Sequence, residues 1–325
     1  MLDQYGRSID YLRISVTDRC NLRCRYCMPE PVDAVQHADI LRYEEILRIC
    51  RAAIELGITK FKVTGGEPLV RAGCTEFIAE LKKQPGTQQV TLTTNGLLLG
   101  KNLDALAAAG LDGINISLDS LNAERYTRIS GHPEGGELLK RIMQAVEDAC
   151  AMGLRTKLNA VLLEETEEDA PELAAIAEEL PVDVRFIELM PIGFGTAMRR
   201  VSPDDILSAL RKRWPDLAPT YERRGNGPAH YYKSDLLLGR IGFIDAVSHK
   251  FCAECNRVRL TSTGQLKPCL CYADSADLRT LIRGGCTDDE LREALKISIY
   301  NKPRAHCFDT GAAVTERHAM SQIGG

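Results

Sequence analysis

Strand-like and helix-like segments alternate over the first two thirds of the chain, and this alternation restricts the possible folds more than any other feature. Short runs rich in β-branched residues lie at 11–16, 60–64, 90–95, 113–119, 155–163 and 182–190. The helical spacing of apolar residues predicts helices between them at 43–56, 74–83, 101–110, 136–153 and 170–180. Repeated βα units predict a parallel sheet covered by helices, arranged either as an open barrel or as a doubly wound sheet. In both arrangements, ligands bind beyond the carboxyl ends of the strands.

The alternation ends after residue 200. A helix is predicted at 202–214, and a loop rich in Gly, Pro and Arg follows at 221–232. The segments "GRIGFIDAVS" and "NRVRLTSTGQLKPC" are typical of short strands around turns, and two helices are predicted after them. We therefore place a domain boundary near residue 230, which gives a core domain at 1–230 and a smaller domain at 231–325.

Charge and hydropathy exclude some classes of function. The formal net charge is −4, so no overall positive field attracts nucleic acid, and an anionic ligand needs a local basic patch. No run of about 18 apolar residues is present, and the first residues lack the pattern of a secretory signal, so we expect neither a membrane span nor export. We expect a cytoplasmic, reducing compartment, in which the 12 cysteines are better explained as metal ligands or catalytic groups than as disulfides.

Three cysteines, Cys20, Cys24 and Cys27, lie close together in "CNLRCRYC". A structural zinc site usually has four ligands in two separated pairs, and this segment could supply part of one. An iron–sulfur cluster takes several thiolates from a short loop, and three thiolates leave its fourth iron open for a small chelating molecule. The triad follows the first predicted strand, where active sites of this architecture lie. The sequence therefore favours a cluster without excluding zinc.

The segment "TGGEP" at 64–68 follows the second predicted strand, and its glycines allow close approach of the backbone to a ligand. Together, C-x3-C-x-aromatic-C and "GGEP" resemble the radical S-adenosylmethionine (SAM) superfamily. The resemblance implies a partial (βα)6 TIM-like barrel with a smaller C-terminal iron–sulfur domain. It also implies that the triad holds a [4Fe–4S] cluster, that SAM binds the open iron, and that cleavage of SAM yields a 5′-deoxyadenosyl radical. The SAM contacts that it implies are Tyr26, Gly66, Ser117 and Met190.

A second group of cysteines, Cys252, Cys255 and Cys269, has the spacing C-x2-C-x13-C. With Cys271 as fourth ligand, the group would equally form a zinc ribbon. The stretches "LRISVTDRCNLRCRYCMP", "TGGEPLVR", "TTNG", "ISLDS", "RFIELMPIG", "CAECNRVRLT" and "SQIGG" resemble the MoaA family of molybdenum-cofactor biosynthesis along nearly the whole chain. This resemblance implies that the three cysteines hold a second [4Fe–4S] cluster, whose open iron contacts the purine of GTP.

A bound triphosphate would need local positive charge. Arg257 and Arg259 alternate in a strand pattern directly after the second cysteine pair, so both point to one face beside the second cluster. Arg13, Lys157 and Arg185 are basic residues inside predicted strands, where a buried charge requires an anionic partner. These five residues are candidates to hold the phosphates.

The resemblance implies an enzyme, a lyase that converts GTP to (8S)-3′,8-cyclo-7,8-dihydroguanosine 5′-triphosphate. The GTP contacts that it implies are Arg13, Lys62, Thr93, Lys157, Arg257, Val258 and Arg259. The family usually has arginine where this chain has Lys62, and lysine keeps the charge but loses the bidentate fork. The family pattern ends in Gly-Gly, so we expect Gly324 and Gly325 to reach the substrate and count them with Arg257 and Arg259 as catalytic candidates.

The same resemblance implies several partners. They are cyclic pyranopterin monophosphate synthase acting downstream, an electron donor such as flavodoxin or ferredoxin, and a second copy of the chain in a homodimer. We expect neither nucleic acid nor a membrane among them. Two other functions stay open: a peptide-modifying radical SAM enzyme, and a zinc-stabilised binding module without chemistry.

Overall fold

The predicted alternation of strands and helices is confirmed in a computed structural model, which describes residues 1–30, 35–273, 275–308, 314–316 and 318–323. The strands are β1 (Tyr11–Ser15), β2 (Lys60–Thr64), β3 (Gln89–Thr94), β4 (Gly113–Ser117), β5 (Thr156–Leu162), β6 (Asp183–Glu188), β7 (Ala218–Thr220), β8 (His230–Lys233), β9 (Ile241–Ile244), β10 (Arg257–Leu260), β11 (Gln265–Lys267) and β12 (Ala276–Asp277). The helices are α1 (Tyr43–Glu55), α2 (Cys74–Lys83), α3 (Leu99–Ala108), α4 (Ala123–Ser130), α5 (Gly135–Ala151), α6 (Ala170–Glu179), α7 (Pro203–Arg213), α8 (Leu278–Arg283) and α9 (Asp288–Tyr300).

Strands β1 to β6 lie side by side in chain order, and all of them pair in parallel. A doubly wound sheet would reverse its strand order at a switch point, and β1–β6 show no reversal. Right-handed crossovers then place the connecting helices on one face of the sheet, and the other face lines the interior of an open barrel. The partial TIM-like barrel expected from the sequence is therefore confirmed, and the doubly wound alternative is wrong.

The strands after β6 extend both edges of this sheet. β9 pairs in parallel with β6, and β10 pairs in parallel with β1. The edges continue antiparallel through β8 and β7 on one side and through β11 and β12 on the other. Strands from both sides of residue 230 thus share one sheet, and the domain boundary at that residue stays a prediction.

Period-two alternation along the strands separates core residues from charged residues that face the barrel interior. On β1, Leu12 and Ile14 are fully buried under the helices, whereas Arg13 between them lines the interior. β2 repeats the pattern with Phe61 in the core and Lys62 in the interior. Each buried apolar side chain contributes about 1.5–3 kcal/mol to the stability of the fold. The face of the sheet that packs against the helices therefore stabilises a sheet whose interior face carries charge.

Helix α4 and strands β7, β8 and β12 were not predicted. Helix α4 is short, and its N-terminus is capped by Asn122, whose side chain accepts a hydrogen bond from the N–H of Arg125 at 3.0 Å. Strands β7 and β8 have three and four residues. They are defined by their antiparallel pairing with each other and with β9. A segment of three or four residues is too short for its apolar periodicity to predict a strand.

The last two helices tie the C-terminal part to the barrel. α9 packs on α1, where the Arg292 guanidinium lies 2.6 Å from Glu55 Oε2. Arg48 of α1 donates to Asp288 Oδ1 at 2.7 Å. In the part of the chain that the structure describes, no helix is both long enough and apolar enough to cross a bilayer.

Candidate active site

The barrel interior encloses a cavity of about 950 Å³. Its wall contains most of the residues proposed from the sequence: Arg13, Cys20, Cys24, Tyr26, Cys27, Lys62, Gly66, Thr93, Ser117, Lys157, Met190, Cys252, Cys255, Arg257, Arg259 and Cys269. Val258 differs, because its side chain alternates with the two arginines and is fully buried in the core. Only its backbone is placed to face a ligand. Gly324 and Gly325 lie outside the described residues.

The first cysteine triad lies in the loop after β1, at the carboxyl edge of the parallel strands. The loop turns tightly, because the N–H groups of Cys27 and Met28 donate to the Cys24 carbonyl at 2.9 and 2.8 Å. Desolvation, and then the neighbouring Cys20 thiol, raise the pKa of Cys27 to about 12. Desolvation also raises the pKa of Cys24 well above its usual value. A metal that binds here must therefore displace protons.

Gly65 and Gly66 allow the loops after β1 and β2 to pack backbone against backbone. The Gly66 N–H donates to the Thr17 carbonyl at 2.7 Å. A Cβ on Gly66 would lie 2.4 Å from the Arg19 carbonyl oxygen, and one on Gly65 would lie 2.7 Å from that of Thr17. Any side chain at these positions would push the triad loop away, which gives a physical reason for the two glycines of "GGEP". The contact of Gly66 with SAM stays a prediction.

Two residues that the sequence reasoning missed, Glu67 and Asn95, hold the triad loop in place. The fully buried Glu67 carboxylate accepts hydrogen bonds from the Thr94 hydroxyl at 2.8 Å and from the Asn95 N–H at 2.6 Å. The Asn95 side-chain amide donates to Asn21 Oδ1 at 2.7 Å and lies 3.8 Å from Cys20 Sγ. Both residues belong to motifs quoted above, "GGEP" and "TTNG". Polar residues directly after buried strands were the available signal.

Tyr26 is held beside the first triad by a buried carboxylate. Its hydroxyl donates to Asp119 Oδ2 at 2.8 Å, and Asp119 Oδ1 accepts from the Val161 N–H at 2.8 Å. Burial raises the pKa of Asp119 to about 6. Ser117 lies two residues earlier on the same face as Asp119, and Met190 follows β6 in the same cavity wall. The residues proposed to contact SAM therefore share one edge of the barrel with the first triad.

The second cysteine triad lies at the opposite, amino edge of the barrel. Cys252 and Cys255 precede β10, which runs parallel to β1, and β11 runs back antiparallel so that Cys269 returns to the same edge. Cys269 lines the cavity. Cys271 is fully buried instead, with its Sγ 2.8 Å from Cys307 Sγ. This placement favours Cys269 as the third ligand.

Positive charge surrounds the second triad. The His306 N–H donates to Cys252 Sγ at 3.4 Å, and the buried Lys302 lies beside Cys255. Desolvation acts to raise the pKa of Cys255, but the Lys302 ammonium and the Arg257 guanidinium outweigh it and lower that pKa to about 7. A thiol with this pKa is substantially ionised at neutral pH, which is the form that binds iron.

Both triads fit clusters with three protein ligands. Among the described residues, no three Cys, His, Asp or Glu side chains are grouped so that they could hold a metal ion. In a [4Fe–4S] cluster, each thiolate binds a different iron, so the ligands surround the cluster instead of meeting at one point. The thiols of each triad face one cavity and are close enough to influence one another's pKa. The donor type and number therefore fit the two clusters implied by the sequence.

Three cations stand side by side on the interior face of the sheet, and we call them the basic row: Lys62, Arg13 and Arg259. The strand register pairs Arg13 with Lys62 on one side and with Arg259 on the other, and neighbouring strands are about 4.8 Å apart. Desolvation, and then the nearby Arg185 and Arg13, lower the pKa of Lys62 well below its usual value. A multiply charged anion would relieve this repulsion, so the basic row favours a polyphosphate ligand in a protein of net charge −4.

Arg185 and Lys157 face the interior from the opposite wall. Arg185 donates from Nε to Asn159 Oδ1 at 2.9 Å and from Nη2 to Asn115 Oδ1 at 2.5 Å. These partners are neutral, so they leave its charge uncompensated. Lys157 instead forms an ion pair with Asp183, with 3.0 Å between Nζ and Oδ2.

Two family models match the chain: the Radical SAM superfamily over residues 14–177 and Molybdenum Cofactor Synthesis C over residues 182–308. A GTP 3′,8-cyclase from Clostridium perfringens (strain 13 / Type A) is 41% identical over 327 residues, with 100% of each chain covered. The same named protein from Pelotomaculum thermopropionicum is 43% identical over 331 residues, again with 100% of each chain covered. Among solved structures, Streptococcus suis SuiB bound to S-adenosylmethionine has a TM-score of 0.63 at 15% identity, over 97% of this chain and 78% of that chain. This last likeness concerns the fold alone.

An open βα barrel with three cysteines after its first strand, matched by the superfamily model, defines a radical SAM enzyme. The relatives that match over the whole chain narrow this further. The chain belongs to the GTP 3′,8-cyclase (MoaA) family, which confirms the resemblance drawn from its motifs. The cofactors expected from that family, SAM and two [4Fe–4S] clusters, are those that the two triads fit. The roles of individual residues stay predictions.

Proposed function

We propose that this protein converts GTP to (8S)-3′,8-cyclo-7,8-dihydroguanosine 5′-triphosphate, the first step of molybdenum-cofactor biosynthesis. The observation that carries the proposal is the placement of two cysteine triads at opposite edges of one cavity, with the basic row between them. One edge suits SAM beside a cluster, and the other suits a purine beside a second cluster. The basic row suits the triphosphate.

At the carboxyl edge, Cys20, Cys24 and Cys27 hold the first cluster. When bound, that cluster and SAM supply the 5′-deoxyadenosyl radical that takes hydrogen from the substrate. The chain positions SAM with Tyr26, Gly66, Ser117 and Met190. The hydrogen bond from Tyr26 to Asp119 at 2.8 Å fixes the tyrosine ring beside the triad.

At the amino edge, Cys252, Cys255 and Cys269 hold the second cluster beside the purine. The residues that bind GTP are Arg13, Lys62, Thr93, Lys157, Arg257, Val258 and Arg259, with Val258 acting through its backbone. Most of these side chains are cationic, and together they offset the negative charges of a triphosphate. Arg257 and Arg259 lie next to the second triad, where they contact the reacting nucleotide. Gly324 and Gly325 are proposed to reach the same substrate, because glycine lets a narrow backbone enter a crowded pocket.

In this reaction the ribose of GTP loses the hydrogen at C3′ to the 5′ carbon of deoxyadenosine, and a new bond joins C3′ to C8 of the guanine. One further electron and one proton complete the dihydroguanosine ring. With the electron that cleaves SAM, an external donor supplies two electrons for each product. The main contribution of the chain is alignment, since well-oriented groups in a closed site reach effective molarities of about 10⁵–10⁸ M.

The donor and the other partners follow from this chemistry. A flavodoxin or ferredoxin is the expected source of electrons, and cyclic pyranopterin monophosphate synthase is expected to consume the product. We expect a homodimer, as in the family. Thiolates that hold iron–sulfur clusters need a reducing compartment, so we expect the enzyme in the cytoplasm.

Anaerobic purification followed by an assay tests the function. We expect a brown protein with about eight irons, four for each [4Fe–4S] cluster. With SAM, GTP and a reductant, it should form 5′-deoxyadenosine, methionine and the cyclic nucleotide in equal amounts. A colourless protein that contains zinc overturns the proposal. So does a protein with both clusters that cleaves SAM and leaves GTP unchanged.

A further inference from the structure

A buried acid at the amino edge of the barrel has no part in the function proposed so far. Asp183, the first residue of β6, is 2% exposed and lies behind the cavity wall. Its Oδ2 is 3.0 Å from Nζ of Lys157, and its Oδ1 is 2.7 Å from Nη2 of Arg224. Both cations line the cavity. We call Lys157, Asp183 and Arg224 the floor cluster.

The floor cluster carries one net positive charge, because two cations surround one carboxylate. Burial acts to raise the pKa of Asp183, but the hydrogen bonds and charges of Arg224 and Lys157 outweigh it and lower that pKa. The carboxylate is therefore ionised at neutral pH. It holds both cations from the side away from the cavity, so that they face any ligand inside.

The two cations differ in the donors that they have left for a ligand. An ammonium group has three protons to donate, and Lys157 directs them to Asp183, to the Tyr231 hydroxyl at 2.9 Å and to the main-chain carbonyl of Arg224. Lys157 therefore acts on GTP through its positive charge and not through a hydrogen bond of its own. Arg224 directs Nε and Nη2 to Asp183. Its Nη1 lies 3.8 Å from Glu222 Oε2, which is too far for a hydrogen bond. Arg224 can therefore donate to a phosphate and keep its hold on Asp183.

The loop that carries Arg224, residues 221–229, closes the amino end of the cavity. All of its residues lie in the cavity wall. The Asn226 side-chain amide donates to Gln89 Oε1 at the start of β3, so the loop crosses the end of the barrel from the β6 side. A Cβ on Gly225 would lie 3.4 Å from Nζ of Lys157, an ordinary van der Waals distance, so the loop packs directly against that lysine.

The floor cluster lies across the barrel from the basic row. The basic row faces the interior from β10, β1 and β2, whereas Lys157 faces it from β5 and Asp183 begins β6. We place the phosphate nearest the ribose at the basic row, so that the far end of a triphosphate extends across the barrel to the floor cluster. The shorter phosphate chains of GDP and GMP then end before it.

We propose that Arg224 is a further contact of the terminal phosphate and that Asp183 is the residue that positions it, so that the floor cluster selects GTP over guanosine phosphates with shorter chains. This inference rests on the proposed function, because it takes GTP as the ligand of the cavity. Asp183 acts only through Arg224 and Lys157 and does not touch the nucleotide.

Equilibrium dialysis with the anaerobic, cluster-loaded enzyme tests the role of Arg224, with GTP, GDP and GMP as ligands. Arg224→Gln removes the charge and keeps most of the side-chain length. We expect its affinity for GTP to fall about tenfold, as for the loss of one charge-assisted contact, and its affinity for GMP to stay unchanged. Arg213→Gln is the matched control, because Arg213 bonds to Glu172 at 3.2 Å away from the cavity wall.

Asp183→Asn tests the positioning role, since it keeps the shape of the side chain and removes the charge that holds Arg224. We expect the same selective loss of GTP affinity, and a double variant with Arg224→Gln that binds GTP no more weakly than Arg224→Gln alone. Additive losses in the double variant overturn the positioning role. Equal losses of GTP and GMP affinity in Asp183→Asn also overturn it, because they indicate a general structural effect.

An unchanged ratio of GTP to GMP affinity in Arg224→Gln overturns the inference. This variant keeps the buried Asp183, so its result can be interpreted even if Asp183→Asn does not fold. The wild-type enzyme, assayed in the same preparation, separates this result from a failure of the proposed function. If the wild type converts no GTP, the proposed function is wrong. If it converts GTP and the ratio is unchanged, only the inference about the floor cluster is wrong.

Discussion

The first cysteine triad is a single continuous loop, whereas the second is assembled from distant parts of the chain. Hydrogen bonds to the Cys24 carbonyl close the first loop directly after β1. The second triad needs Cys252 and Cys255 before β10, Cys269 after β11, and Lys302 from beyond α9. The first site therefore depends mainly on local sequence, and the second depends on a correctly folded sheet edge.

The charges around the two triads also differ. After desolvation, the Asp119 carboxylate and the neighbouring thiols raise the pKa of Cys24 further. At the second triad, Lys302 and Arg257 outweigh desolvation and lower the pKa of Cys255 to about 7. Desolvation still raises the pKa of Cys252, so the contrast lies between Cys24 and Cys255. Iron binding at Cys24 has to displace a proton, whereas Cys255 is already partly ionised at neutral pH.

The largest expected effect separates the two edges by function. In Cys24→Ser, formation of 5′-deoxyadenosine should fall below detection, because the first cluster loses a ligand. About half of the iron should remain, since each [4Fe–4S] cluster holds four irons. Cys150→Ser is the control, because Cys150 is a half-buried cysteine of α5 outside both triads. Retained deoxyadenosine formation, or loss of all iron, would show that the edges are not independent in this way.

The next effect tests the second edge in the same terms. Cys269→Ser should lose about half of the iron, one four-iron cluster of two, and should stop converting GTP while it still cleaves some SAM. Cys271→Ser should keep its iron, because Cys271 is buried against Cys307 and does not face the cavity. The reverse ranking would assign the third ligand to Cys271. Equal losses in both variants would indicate four thiolates and no open iron for GTP.

A third variant asks whether the two edges are coupled through the substrate. Deletion of Gly324 and Gly325 should leave the iron content and the melting temperature unchanged, because neither residue offers a metal ligand. Conversion of GTP should fall steeply, while uncoupled cleavage of SAM persists. Appending two alanines should act similarly by blocking entry to the cavity. Conversion of GTP at the wild-type rate in the truncated enzyme would show that these two glycines have no role in the reaction.

The contrast between the edges explains what the sequence could predict. The first triad directly follows a strand whose alternation also puts Arg13 in the interior. The cysteine spacing and the place of the triad in the barrel can therefore both be predicted from one short stretch of sequence. The place of the second triad at the opposite edge follows only from the parallel register of β10 with β1. Those strands are far apart in the chain, and no local pattern reveals their pairing.

The same limit applies inside the cavity. Thr93 and Ser117 were named through the family resemblance, and both side chains line the cavity. The pairing of Asp183 with Arg224 could not be predicted, because Arg224 belongs to a loop that crosses the barrel end and has no periodicity of its own. Val258 illustrates the opposite case: a residue included through the family has a side chain that the structure places in the core.

Lys302→Met should weaken the second site and leave the first unchanged. Without the ammonium, the pKa of Cys255 rises from about 7, and each unit of rise costs about tenfold in thiolate at neutral pH. Chelators should therefore remove the second cluster faster than from the wild type, measured as the loss of its Mössbauer or EPR signal. Lys296→Met is the control, because Lys296 pairs with exposed Glu293 on α9 at 3.1 Å. Equal rates of cluster removal in Lys302→Met and the wild type would show that the charge of Lys302 does not stabilise the second cluster.

The smallest expected effect concerns Lys62, which lies between the two edges. Desolvation and the neighbouring Arg185 and Arg13 lower its pKa in the empty cavity, and a bound triphosphate should raise that pKa again. GTP binding then takes up a proton, so affinity for GTP should fall as the pH rises through the range between the two pKa values.

Lys62→Arg tests this, since a guanidinium keeps its proton at every accessible pH and adds a bidentate fork. Its KM for GTP should rise less with increasing pH than that of the wild type, so the KM values of the two enzymes should differ most at the alkaline end of the range. The rate of SAM cleavage should not change, because the substitution acts on the nucleotide and leaves the first triad intact. Lys60→Arg, on the same strand but paired with Asp10 at 2.5 Å, should behave like the wild type. An identical pH dependence of KM in Lys62→Arg and the wild type would mean that Lys62 stays protonated in the empty cavity over this pH range, and would overturn this prediction.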